Sequence, residues 1–241
     1  MSTYYIVIDL EMNPVDTALH ACSGLYQETI EIGAVKVESG SNRIVSQFSR
    51  VIRPEYNSRI EPRITQLTGI STREVRHADT FHTVWCDFLQ WIGTDPVRIY
   101  SWSNSDYLQL TQECAAKNIP FPAILADWVD FQAEYPDYLG YSNNQCLSLK
   151  KAARMIGITI VSRDAHRALY DAQITSQLVI FARSGAYRHY ISSVNQEKST
   201  MTYSLADACG GKLSALLAKM NEKEATYHAD RCHYAVEAYV R

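Results

Sequence analysis

Apolar and aromatic residues fill Tyr4-Tyr5-Ile6-Val7-Ile8, and the run ends in Asp9-Leu10-Glu11. β-branched and aromatic residues packed this densely predict a strand, buried on both faces and central in a sheet. Pro14 is expected to close it, leaving residues 12–27 as a long loop of the kind that faces a ligand. A second strand is predicted over 29–37, then a turn at Ser39-Gly40-Ser41-Asn42 and a third strand over 43–53, giving an antiparallel hairpin or meander.

The pattern then changes period. Residues 60–69 carry Pro62 and end in Gly69, which predicts a short helix with a glycine C-cap. Phe81, Val84, Trp85, Phe88, Leu89 and Ile92 recur at the spacing of an amphipathic helix, stopped by Gly93. A fourth strand over 97–102 runs into Ser103-Asn104-Ser105, good N-cap chemistry, and a helix over 106–117. Residues 125–131 suit a fifth strand, followed by a polar loop to Asn144. Two more helices are expected, over 146–156 closed by Gly157 and over 165–183 ended by Gly185. Strands mixed with helices in this order give an α/β or α+β fold with a mixed sheet.

Residues 188–200 are polar and read as a linker, with further helices over 201–241. The organisation expected is a domain over 1–187, the linker, and a helical extension that packs on the domain or in a dimer. The stretch from Leu147-Ser148-Leu149 through His166-x4-Asp171 is faintly echoed from Tyr203-Ser204-Leu205 through His228-x4-His233. Two amphipathic helix pairs that look alike account for the echo, and no second D-x-E exists to complete another catalytic site.

Composition narrows the class without naming a chemistry. The chain has 241 residues, 46% hydrophobic and 20% charged, ample for a proper core and ordinary for a soluble globular protein. No apolar run approaches the roughly 20 residues that span a membrane. Cys22, Cys86, Cys114, Cys146, Cys209 and Cys232 are scattered without a C-x-x-C, which argues against a zinc knuckle or a disulfide framework. With no basic leader ahead of the first strand, a cytoplasmic protein is expected. A net charge of −3 excludes a general polyanion-binding coat but allows a local basic channel.

The candidate chemistry starts at Asp9 and Glu11. Strand alternation sends both side chains to one side, where two desolvated carboxylates repel unless a divalent cation sits between them. Two solvated acids at an exposed strand end fit the same pattern. Asp106 falls in the first turn of a helix, where the macrodipole favours its ionised form; a second N-cap or a surface acid fits it equally. His166 and Asp171, if on one continuous helix, would lie about 140° apart and not share a face. They can converge if His166 sits at the frayed start and Asp171 one turn in.

D-x-E on the first strand, an Asp at a later strand-to-helix junction and a late H-x-x-x-x-D together resemble the DEDDh 3′→5′ exonucleases, whose fold is RNase H-like. The surroundings match in order: Glu31-Ile32-Gly33-Ala34-Val35, Gln66-Leu67-Thr68-Gly69-Ile70 and Ser148-Leu149-Lys150-Lys151-Ala152. The phrasing Val7-Ile8-Asp9-Leu10-Glu11-Met12 further resembles the branch containing KapD and the ERI-type RNA exonucleases. The resemblance covers residues 4–183, and nothing after Arg188 maps onto it.

The resemblance implies a mixed sheet flanked by helices, and two Mg²⁺ or Mn²⁺ ions. Asp9, Glu11 and Asp171 would bind the tighter ion, and Asp9 would bridge to the second, reached by Asp106. All-oxygen ligands suit hard cations, and a pair about 4 Å apart would clamp the attacking and leaving oxygens. His166 would be the general base. Single-stranded nucleic acid with a free 3′ end, RNA favoured over DNA, would be cut to nucleoside 5′-monophosphates. Leu10 and Met12 match the positions beside the terminal base, although plain core packing accounts for them as well. Arg163 and Arg167 flank His166 and are the basic residues best placed for phosphates; Trp102 and Tyr107 are candidates for stacking bases. Two other functions fit the same fold: a regulatory binding protein acting through a partner on its C-terminal helices, and a polymerase proofreading subunit.

Overall fold

The apolar run at the N-terminus forms the centre of a sheet. A computed structural model describes residues 3–16, 20, 24–139, 146–160 and 166–188. The expected C-terminal extension, all but the first residue of the expected linker, and Arg163 lie outside the described residues. Strand β1 (Tyr4–Pro14) lies between β2 (Gln27–Glu38), which it pairs antiparallel, and β5 (Arg98–Ser101), which it pairs parallel. β3 (Ile44–Arg53) extends the hairpin beyond β2, and the two-residue β4 (Asp79–Thr80) edges it. β6 (Trp128–Asp130) pairs parallel with β5, so the order is β4-β3-β2-β1-β5-β6. A mixed six-stranded sheet flanked by helices, the RNase H-like arrangement, is thus what the alternating pattern builds.

Tyr5, Ile6, Val7 and Ile8 are all buried, as a strand flanked on both edges and covered on both faces requires. β1 runs three residues past Glu11, through a register shift between Glu11 and Met12, and includes Pro14. Proline is tolerated there because β5 pairs only with Tyr5 to Ile8, so no neighbour on that side asks for its missing N–H. The loop expected over 12–27 is accordingly shorter.

Helix α1 (Pro62–Thr68) starts on its proline and ends on Gly69 at φ 76°, a left-handed cap that a residue with Cβ adopts at a cost. Helix α2 (Thr72–Arg76) was not anticipated, yet Ser71-Thr72-Arg73-Glu74 is a capping-box sequence, and Ser71 Oγ accepts the Glu74 amide at 3.2 Å. Helix α3 (Phe81–Ile92) buries Phe81, Val84, Trp85 and Phe88 against Ile6, Ile8, Leu10, Ile32, Ala34 and Phe48 on one face of the sheet. Each such side chain contributes about 1.5–3 kcal/mol by leaving water.

Helix α4 (Ser105–Ala116) follows β5. The strand expected over 125–131 is shorter: a 3₁₀ turn (Ala123–Leu125) precedes the three residues of β6. The polar loop expected after it is instead helix α5 (Phe131–Tyr138). The buried Phe131 and Tyr135, one turn apart, favour a helix despite Pro136, a driving force that polarity alone does not reveal. Helices α6 (Leu149–Met155) and α7 (Ala168–Arg183) complete the described elements, each starting later than the sequence suggests. No described helix is long and apolar enough to cross a membrane.

The chain divides into two compact units. One comprises residues 1–132 and 148–180 and holds the whole sheet; the other comprises 133–147 and 181–241. Within the second, the rings of Tyr138 and Tyr187 meet edge to face.

Candidate active site

Strand register sets the first half of the site. Asp9 lies opposite Gly33 and Glu11 opposite Glu31, so all four positions share the sheet face away from α3. Gly33 is needed for closeness. A Cβ there would fall 2.0 Å from the Leu169 amide nitrogen and 2.1 Å from the Ala168 carbonyl carbon, so the first turn of α7 rests directly on β2. Small buried residues on that helix, Ala168, Ala172 and Thr175, allow the approach. This contact delivers Asp171, in the first turn of α7, to the two acids of β1.

His166 precedes the helix in the left-handed region, at φ 64°. Its amide donates to Asp171 Oδ2 at 3.1 Å, closing a tight hairpin around residues 166–171. The angular objection to the pair therefore does not apply, because His166 lies ahead of the helix rather than on it. Ligand atoms of Glu11, His166 and Asp171 all lie within 4.8 Å of one another.

Asp106 enters from the other side. It is buried in the first turn of α4, and its Oδ1 accepts the Leu10 amide at 3.1 Å, which ties the helix start to β1. The far end of α4 is anchored as firmly. Glu113 Oε2 accepts the Thr29 amide at 2.9 Å and its hydroxyl at 2.7 Å. Lys117 stands 2.9 Å from Glu113 and 3.2 Å from Glu28, both fully buried. Glu28 in turn accepts the amides of Glu55, Tyr56 and Asn57.

The electrostatics are those of an acid pocket whose neighbouring cations, Arg167 and His166, only partly offset burial and mutual repulsion. Burial first, then repulsion from Asp106, Glu11, Asp171 and Glu31, holds the Asp9 carboxyl well above the usual range. The Glu11 carboxyl is pushed up to about 9 by burial and by Asp171, Glu31 and Asp106. Burial raises Asp106 to about 7 and raises Asp171 as well, the latter opposed by His166. Asp9 and Glu11 both feel Asp106 and Asp171, and Asp9 also feels Glu11. Carboxylates this poorly solvated and this crowded together are the donor set that hard divalent cations take, so the residues fit the ions their pattern implies.

Other candidates divide. Leu10 is 6% exposed and sits in the core facing α3, rather than open to a base. Met12 is half-buried against that core, its sulfur 2.8 Å from Gln27 Nε2. Arg167, read from sequence as a phosphate ligand, has Nε and Nη2 engaged by Glu31. Trp102 packs on Phe131, and Tyr107 on Phe121 and Trp128. Glu31 is the participant that sequence reasoning passed over. Its signal was present: an acid flanked by Ile30 and Ile32 in a buried stretch needs a partner.

Sheet order and clustered acids are those of a nuclease-type α/β protein. The sequence pattern of a family described as exonuclease (RNase T) matches residues 6–179. The chain belongs to that family, within the DEDDh 3′→5′ exonuclease superfamily. ERI1 exoribonuclease 2 of Danio rerio is 27% identical over 197 residues, 73% of this chain and 34% of the relative. The probable 3′-5′ exonuclease KapD of Bacillus subtilis (strain 168) is 29% identical over 171 residues, covering 69% and 78%. The chain thus spans about a third of the zebrafish relative. Among solved structures, the nuclease domain of 3′hExo, a DEDDh family member bound to rAMP, aligns with a TM-score of 0.64 at 21% identity, covering 74% of this chain and 90% of that one. Full-length 3′-exonuclease gives 0.65 at 20%, covering 76% and 61%.

Proposed function

We propose that this chain is a divalent-metal-dependent 3′→5′ exonuclease that removes nucleoside 5′-monophosphates from single-stranded nucleic acid, RNA in preference to DNA. The observation that carries the reading is the convergence of Glu11, His166 and Asp171 within 4.8 Å, with the Asp9 carboxyl close enough to feel Glu11 and Asp171. The names of the relatives support the polarity and the RNA preference: exoribonuclease for the zebrafish protein, 3′-5′ exonuclease for the bacterial one. The rAMP bound to a structural neighbour supports a nucleotide product.

Asp9, Glu11 and Asp171 would hold one Mg²⁺ or Mn²⁺, and Asp9 with Asp106 a second. Such ions offset the charge of the scissile phosphate and raise the acidity of water. The protein's own part is positional. The Leu10 amide fixes Asp106, and the His166 amide fixes the Asp171 carboxylate, so the acids are aimed before substrate arrives. His166 is exposed, its backbone held and its imidazole at the mouth of the acid cluster. There it takes the proton from the attacking water as general base, and the phosphodiester opens to a 5′-monophosphate and a shortened strand with a new 3′-hydroxyl. Met12 meets the terminal base.

The test is a 5′-labelled single-stranded oligonucleotide, as RNA and as DNA, incubated with Mn²⁺. Single-nucleotide shortening from the 3′ end, stopped by EDTA and absent in Asp171→Ala, supports the reading. Asp171→Ala digesting as fast as wild type removes it.

A further inference from the structure

Glu31 is the buried acid at this site that the proposed chemistry does not use. It is 1% exposed and faces Glu11 directly across the β1–β2 ladder, where a like charge is unfavourable. An apolar residue at this position would avoid that cost. The carboxylate instead makes contacts that no apolar side chain can reproduce.

Its Oε2 accepts the amide of Ala168, the first residue of α7, at 2.9 Å. Arg167 approaches edge-on, with Nε 3.2 and 3.1 Å from the two oxygens and Nη2 2.6 Å from Oε1. One side chain on β2 thus grips two consecutive residues of the hairpin that carries His166 and Asp171. A planar guanidinium and a helix-end amide together match a carboxylate's lone pairs. The grip falls where backbone conformation is least forgiving. His166 stands at φ 64°, a region a residue with Cβ keeps only when its surroundings hold it there. The His166 amide bond to Asp171 closes the inside of the hairpin, and the Glu31 bonds fix its outside to the sheet.

We propose that Glu31 and Arg167 form a positioning clamp that sets the hairpin of His166 and Asp171 over Glu11. The clamp touches neither substrate nor the reacting atoms. It acts by orienting two groups that do, a role that rests on the exonuclease reading of the site. With Glu31 removed, the Arg167 side chain, 39% exposed, stays within reach of water and is not left as a buried unpaired charge, so the main loss is expected in site geometry rather than in folding.

The experiment uses the full chain as Glu31→Gln, Glu31→Ala, Arg167→Lys and the double variant Glu31→Ala/Arg167→Ala. Three readouts are taken: kcat and KM on a single-stranded oligonucleotide, Mn²⁺ binding by calorimetry without substrate, and amide exchange of the peptide spanning residues 166–171. Loss of an outer partner of this kind costs about 10–100-fold in activity or metal affinity, so Glu31→Ala is expected near 100-fold in kcat and Glu31→Gln nearer tenfold. KM stays within about twofold, because an interaction made through oriented catalytic groups appears in kcat. Mn²⁺ affinity falls about tenfold, and exchange at Ala168 quickens. The double variant is no worse than Glu31→Ala, since both changes cut one unit. Wild-type kcat and Mn²⁺ affinity in Glu31→Ala overturn the clamp. So does an Arg167→Lys protein altered only in KM, which makes Arg167 a phosphate ligand. If Glu31→Ala does not fold, Glu31→Gln and Arg167→Lys decide by the same readouts. If wild type cleaves nothing, the exonuclease reading falls, and Mn²⁺ binding with amide exchange still judges the clamp.

Discussion

Replacing Gly33 by alanine should disable this protein with a single methyl group, at a position that contacts no substrate. The added Cβ would lie 2.0 Å from the Leu169 amide nitrogen and 2.1 Å from the Ala168 carbonyl carbon. Both are backbone atoms at a helix start, so no side chain can swing away. Ordinary contact begins near 3.4 Å, so the first turn of α7 must retreat by about 1.4 Å, or β2 must bend by as much. Either movement draws Asp171 and His166 away from Glu11, and strains the Glu31 bond to the Ala168 amide. A displacement of about 1 Å at a reacting centre costs about 100-fold in rate. Overpacking of this kind costs about 1–3 kcal/mol, and at about 2–4 °C per kcal/mol for a chain of this size the melting temperature should drop by several degrees. The assay pairs oligonucleotide digestion with thermal unfolding. A Gly33→Ala protein that stays folded and digests within about threefold of wild type would refute the reasoning, because a rate loss near 100-fold is what the geometry demands.

The other predictions test separate parts of the structure. Asp171→Ala should abolish exonuclease activity while leaving the circular dichroism spectrum intact, as read by gel assay and far-ultraviolet spectroscopy. In EDTA, the raised carboxyls bind protons in the folded state that they release on unfolding. With Glu11 going from an ordinary 4.5 to about 9, stability is fullest below pH 4.5 on this account and declines as pH rises to about 9. Mn²⁺ should therefore raise the melting temperature more at pH 8 than at pH 6, and Glu11→Gln should flatten the EDTA slope; equal shifts at both pH values would contradict the acid-pocket account. Lys117→Ala leaves Glu28 and Glu113 buried without their cation and should cost about 3–5 kcal/mol in urea unfolding. Trp85→Ala, in the core of α3, should cost about 3–5 kcal/mol by the same measurement, with activity per folded molecule retained.

How far the sequence revealed this site depended on whether each residue's role was local or relational. β1 was legible because its pattern and its burial are the same fact: Tyr5 to Ile8, four buried residues between two sheet neighbours. The Phe81 to Ile92 helix was legible for the same reason, its apolar stripe being the surface that packs on Ile8 and Phe48. The set Asp9, Glu11, Asp106 and Asp171 was suggested by the family resemblance, since each acid alone also fits a surface or capping role. Glu31 was not, because its meaning lies in Arg167 and Ala168, far along the chain, and only pairing geometry brings them together. Leu10 was ambiguous in kind: an apolar residue between two acids reads alike whether it faces a base or a core, and here it faces α3. The segment after β6 reads as a loop because its composition is polar, whereas burial of Phe131 and Tyr135 prevails in the folded chain.

Helix α4 is pinned at both ends, by Asp106 to the backbone of β1 and by Glu113 and Lys117 to β2 and the chain beyond β3. It therefore behaves as a strut, so that damage at Lys117 is transmitted along the helix axis to a carboxylate at the opposite end. The other wall of the pocket hangs from a short hairpin, where an injury stays local. Two lesions equally far from the scissile bond should thus fail differently, one by loosening the framework and the other by misaiming a single group.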